Sequence, residues 1–146
     1  MTLINRFFTL LSLTIFLSAC EPNEGVAIND AWARANAPGQ KVGAAYMTLL
    51  STQDSTMIKA EADIAGSVEI HSMSMENGVM KMRMLEELPL KAGKAEKLAP
   101  GGFHLMLFDL KKPLTAGENV NFTLSFKDAA GNITKQQVML PIKAAE

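Results

Sequence analysis

Two histidines in this 146-residue chain each stand two places before a methionine: "HSM" at His71 and Met73, "HLM" at His104 and Met106. Five of the ten methionines fall within the twelve residues from Met73 to Met84. In an extended strand, residues i and i+2 leave the same face. Each pair therefore offers one imidazole and one thioether towards a common point. Thioethers are soft donors and imidazole is intermediate, a combination suited to Cu(I). Zinc takes thiolate, imidazole or carboxylate, so this donor set does not favour it. A blue-copper centre needs a cysteine thiolate, and c-type haem needs a CxxCH run. The one cysteine, Cys20, serves neither. The competing reading is packing: methionine fills irregular gaps in cores, and a histidine on an apolar strand is commonly a hydrogen-bonded core residue.

The segments around these residues read as strands. "VMKMRML" (79–85) puts Met80, Met82 and Met84 on one face and Val79, Lys81, Arg83 and Leu85 on the other, which the charges mark as wet. "FHLMLF" (103–108) separates Phe103, Leu105 and Leu107 from His104, Met106 and Phe108. Asn77-Gly78 between two alternating runs is a hairpin signal. Further strand-like runs cover 26–34, 41–51, 55–64, 67–75, 79–88, 103–110, 120–127 and 133–142, with turn-rich residues between them, including the stretch from "KAGK" to "LAPGG". Turns recur every 8 to 15 residues and no long segment has a helical period, which predicts an all-β antiparallel sandwich or barrel.

The N-terminus reads differently. Arg6 precedes an apolar run, Phe7 to Leu17, then Ser18, Ala19 and Cys20. This is the pattern of a secretory signal over 1–19, and the run is short of the roughly 20 residues of a membrane span. "LSAC" resembles the bacterial lipobox, which implies lipidation of Cys20. Residues 20–25, "EPNEG" included, then form a tether, and 26–146 form one β-domain. Without the leader, 13 basic residues face 15 acidic ones. No basic face is evident, so nucleic acid is not an expected partner. If Cys20 is lipidated, the folded part is free of thiols, as suits an oxidising compartment.

Spacing sharpens the metal reading. His71, Met82, His104 and Met106 stand as H-x10-M-x21-H-x-M. With "AWARANAPGQKVGAAYMTL" (31–49), "VEIHSM" (68–73), "GVMKMRML" (78–85) and "LAPGGFHLMLFDL" (98–110), the chain resembles the periplasmic copper chaperones of the PCu(A)C type over residues 26–142. The resemblance implies a cupredoxin-like Greek-key β-fold. It also implies one Cu(I) held by His71, Met82, His104 and Met106, and supply of copper to the Cu(A) centre of cytochrome c oxidase, directly or through another copper chaperone. Met73, Met75, Met80 and Met84 are expected as a hydrophobic collar, or as transient ligands during transfer. Pro100-Gly101-Gly102 is expected to allow a close approach before His104.

The expected protein is thus not an enzyme. It is a copper chaperone in the bacterial cell envelope, facing the periplasm and anchored to a membrane through Cys20. The alternatives are a copper storage or resistance lipoprotein without a dedicated acceptor, and an interaction module that binds no metal.

Overall fold

The computed structural model describes residues 25–144. The expected signal over 1–19, the lipid site at Cys20 and the tether up to residue 24 lie outside the described residues. Ten strands follow in chain order: β1 (Val26–Arg34), β2 (Gly43–Ser51), β3 (Ser55–Ala62), β4 (Ser67–Glu76), β5 (Val79–Leu85), β6 (Leu88–Leu90), β7 (Ala95–Leu98), β8 (His104–Phe108), β9 (Asn119–Asp128) and β10 (Ile133–Lys143). Their spatial order is β5-β4-β8-β2-β1-β10-β9-β3-β6, with β7 also paired to β2. Every pairing is antiparallel except β1 with β10, which meet at Ala33–Ile142 and Arg34–Lys143.

The ladder folds over at that parallel joint, so that both halves contribute to one core. Ala45, Met47 and Leu49 of β2 and Leu105 and Leu107 of β8 come from one half, and Met57, Phe122, Leu124, Phe126 and Leu140 from the other. Burial of these side chains, each worth about 1.5–3 kcal/mol relative to exposure, fixes which face of β2 and β8 points inwards. The opposite face of the same strands carries the residues with metal-binding chemistry.

Three features were not expected. The run 79–88 is two strands, broken at Glu86-Glu87, with β6 crossing to pair with β3 at Met57–Leu88. The stretch read as turns contains β7, whose Leu98 is buried. Both strands are too short for an alternating pattern to be recognised. The third difference is a bulge in β1 between Asn29 and Trp32, where Asp30 adopts φ 49°. It shifts the alternation by one residue. Val26 and Ile28 face the core before it and Ala33 after it, so Trp32 and Arg34 turn to the outer face.

Candidate metal centre

The strand pairings place the chemistry on one surface. Across β4 and β8, His71 stands directly opposite His104 and Glu69 opposite Met106. Across β4 and β5, Met84 is opposite His71, Met82 opposite Met73 and Met80 opposite Met75. The connection between β4 and β5 is the two-residue Asn77-Gly78 turn, with φ 52° and 78°, as a type I′ hairpin requires. His104, Met106, Met82 and Met73 line one pocket of about 240 Å³, walled on the far side by Tyr46 and Arg34. Neither His71 nor Met84 lines it; the register puts Met84 directly across from His71, and His71 directly across from His104.

The two imidazoles are each held by one nitrogen. His104 is 5% exposed, and its Nδ1 lies 3.0 Å from the Gly102 carbonyl oxygen. A carbonyl only accepts, so Nδ1 donates and the lone pair of the neutral ring sits on Nε2. His71 is turned the other way. Its Nε2 lies 2.8 Å from Glu69 Oε2, while its Nδ1 is buried without a hydrogen-bond partner. A buried polar atom without a partner costs about 1–3 kcal/mol, and a bound metal is one way for an imidazole nitrogen to be satisfied. The ring centroids are 5.8 Å apart, tilted by 42°, and Phe108 lies 6.2 Å from the His71 ring on the same strand as His104.

Donor chemistry defines what such a centre can hold. Among the described residues no three His, Cys, Asp or Glu side chains gather in a metal-binding arrangement. The sulfur donors that line the pocket with His104 are Met73, Met82 and Met106, and two imidazoles with two thioethers fit Cu(I).

Three neighbours were not foreseen as part of this surface. Glu69 was detectable, because strand alternation puts it on the face of His71. Tyr46 follows from alternation against the core residues Ala45, Met47 and Leu49 of β2, whereas Arg34 was not detectable, because the β1 bulge sets its face. Tyr46 is 4% exposed and stacks on Trp32 at 4.7 Å, with the Arg34 guanidinium 5.3 Å above its ring. Burial pushes the Tyr46 phenol above its usual range, with the Arg34 charge working against that. The glycines before His104 also serve differently from expectation. Gly101 has φ 85°, and a side chain built there would meet nothing within 4 Å. It is needed for the turn that returns the Gly102 amide to the Ala99 carbonyl, 3.0 Å, and no tight approach requires it. The expected collar is likewise only partial: Met73 lines the pocket, whereas Met75, Met80 and Met84 stand largely in solvent.

This fold, with a His- and Met-lined pocket on the outer face of a folded-over β-ladder, is the cupredoxin-like fold of the PCuAC domains. The solution structure of CuI-DR1885 from Deinococcus radiodurans superposes with a TM-score of 0.60 at 32% identity, covering 80% of this chain and 78% of that one. The copper-bound PCuAC domain from PmoF2 has the same fold, with a TM-score of 0.66 at 22% identity over 82% of this chain and 93% of that one. The chain belongs to the LpqE-like family: the family described as "Putative lipoprotein LpqE-like" matches residues 26–141. The putative lipoprotein Lxx21020 of Leifsonia xyli subsp. xyli is 32% identical over 123 residues, 82% of this chain and 70% of that protein. The uncharacterized protein RP573 of Rickettsia prowazekii is also 32% identical, and there the match spans 62% of its length.

Proposed function

We propose that this protein is a Cu(I) carrier of the cell envelope, binding one ion between His71 Nδ1, His104 Nε2 and the thioethers of Met82 and Met106. The observation that carries the reading is that each ring is held at one nitrogen, His71 at Nε2 and His104 at Nδ1. Glu69 and the Gly102 carbonyl hold the two rings so that both lone pairs are left for a metal, and one of them is buried with no other partner. Second partners of this kind orient metal-ligating histidines generally. The copper-loaded state of DR1885, a relative at 32% identity, supports the same cargo.

The ion is cargo. All four donors are neutral, and Met82 on the edge strand is 46% exposed, so an acceptor can reach the centre and exchange ligands there. In this reading the acceptor is the Cu(A) centre of cytochrome c oxidase, as the PCu(A)C resemblance implies. The "LSAC" run and the lipoprotein description of the family support an anchor at Cys20, facing the periplasm. The test is anaerobic transfer: protein loaded with one Cu(I) is mixed with an isolated, metal-free Cu(A) domain. Copper moving to the acceptor supports the carrier role. Copper retained at equilibrium, with tight 1:1 binding, argues for storage instead.

A further inference from the structure

Five of the eight large exposed apolar side chains among the described residues sit on one hairpin: Met75, Val79, Met80, Met82 and Met84. Met75 is 63% and Met80 48% exposed, so neither is filling a core. The hairpin overhangs the body of the protein. Ile70 is the last buried residue of β4, and every residue of β5 before Leu85 is exposed. Its two faces are chemically opposite. On one, Glu76 joins Lys81 at 2.9 Å and Arg83 at 2.8 Å. On the other, every residue from position 73 to the turn and back to 84 is a methionine: Met73, Met75, Met80, Met82, Met84.

The register brings these thioethers into reach of one another. The Met73 amide donates to the Gly102 carbonyl at 3.1 Å, on the β8 side. Amide and carbonyl of an antiparallel residue point to the same neighbour, so Met73 occupies a non-hydrogen-bonded position towards β5. Alternation then puts Met75–Met80 in the same class of pair as Met73–Met82. Such pairs have their Cα atoms only about 4.5 Å apart and their side chains closest.

We infer that Met75 and Met80, completed by Met73, form a second Cu(I) site at the hairpin tip, weaker than the His/Met centre and distinct from it. A thioether-only set is soft and neutral, suited to Cu(I) and Ag(I) and indifferent to zinc. Met73 belongs to both places, since it also lines the pocket with His104 and Met82. An ion can therefore pass from tip to centre by exchanging one thioether at a time, without being released to water. The tip is the port and the His/Met centre the seat. This rests on the proposed function, because a port needs a seat.

The test is an anaerobic Cu(I) titration of the protein carrying 13C-methyl methionine, followed by NMR. The first equivalent is expected to move the His71 and His104 imidazole signals with the Met82 and Met106 methyls. The second is expected to move the Met75 and Met80 methyls. The M75L/M80L variant should lose the second equivalent and keep the affinity for the first within about twofold, because neither residue is a ligand of the His/Met centre. Both positions are in solvent, so the variant is expected to fold, and an unchanged melting temperature checks it. Saturation of the parent at one equivalent, or a second equivalent that survives in M75L/M80L, overturns the tip site. A first equivalent that leaves both imidazoles unmoved overturns the His/Met centre instead.

Discussion

Glu69 and His71 lie two residues apart on the same face of β4, and the Glu69 carboxylate meets His71 Nε2 at 2.8 Å. That contact decides which imidazole nitrogen is left for a metal. Replacing Glu69 by Ala frees the ring to turn and to change tautomer. Glu69→Ala is therefore expected to weaken Cu(I) binding by about tenfold or more, the usual range for a partner behind a ligating histidine. Glu69→Gln, whose amide oxygen still accepts from Nε2–H, should retain most of the affinity. A Cu(I)-chelator competition titration on both variants checks this. Equal losses in the two would assign the effect to charge rather than to orientation.

Met82→Leu and Met106→Leu should each weaken Cu(I) binding at least tenfold, about 1.4 kcal/mol. Met84→Leu should leave it nearly unchanged, even though Met84 faces His71 directly across the strand pair. Met and Leu are close in volume, and the exchange usually costs under about 1.5 kcal/mol of stability. Lost affinity in a variant that melts near the parent thus reports the missing sulfur. If Met84→Leu removes binding and Met82→Leu does not, the ligand is Met84.

Gly43 of β2 sits beside the strand that carries Met106, and it has no room for a side chain. A Cβ there would lie 2.6 Å from Leu114 Cδ1 and 3.4 Å from Leu107 Cβ, both in the core. Gly43→Ala is expected to destabilise by about 1–3 kcal/mol through overpacking, read from the denaturant midpoint. A neutral result would mean that Leu114 repacks freely.

Asp128 closes the β9–β10 turn, accepting from the Asn132 side chain and amide at 2.8 Å each and from the Ala130 amide at 2.9 Å. The Asn132 contacts, followed by Ala130 and Gly131, hold its carboxyl below the usual range. A carboxyl lowered on folding adds stability above its unfolded pKa, and that stability is lost as pH falls through the folded value. The parent should therefore lose stability on acidification below about pH 4 more steeply than Asp128→Asn. Parallel curves from thermal melts over that range would contradict the assignment.

The sequence made the chemistry legible because strand alternation is a strong constraint. His71 and Met73 share a face of β4, and His104 and Met106 a face of β8, as the i, i+2 spacing requires; the β4–β8 register, which joins the two pairs, was not legible. Asn77-Gly78 is the two-residue turn it resembles. Met82 could not be separated from Met80 and Met84 by alternation alone. The pocket distinguishes them, since Met82 lines it with His104 and Met80 and Met84 do not, whereas the register sets Met84 across from His71. Arg34 was invisible as a neighbour of the centre, because one extra residue at the β1 bulge reverses which face it occupies. The short strands β6 and β7 escaped notice for a related reason: three or four residues cannot display a period, and long-range pairing with β3 and β2 creates them.

The proposed centre is one Cu(I) held jointly by both histidines and two methionines. X-ray absorption at the copper edge of the protein loaded with a single equivalent of Cu(I) tests it most directly, because nitrogen and sulfur scatterers lie at different distances. Two nitrogen and two sulfur neighbours are expected, with one nitrogen lost in His104→Ala and one sulfur lost in Met106→Leu. An all-sulfur shell in the parent, unchanged by His104→Ala, would contradict it and place the ion on the methionine hairpin alone.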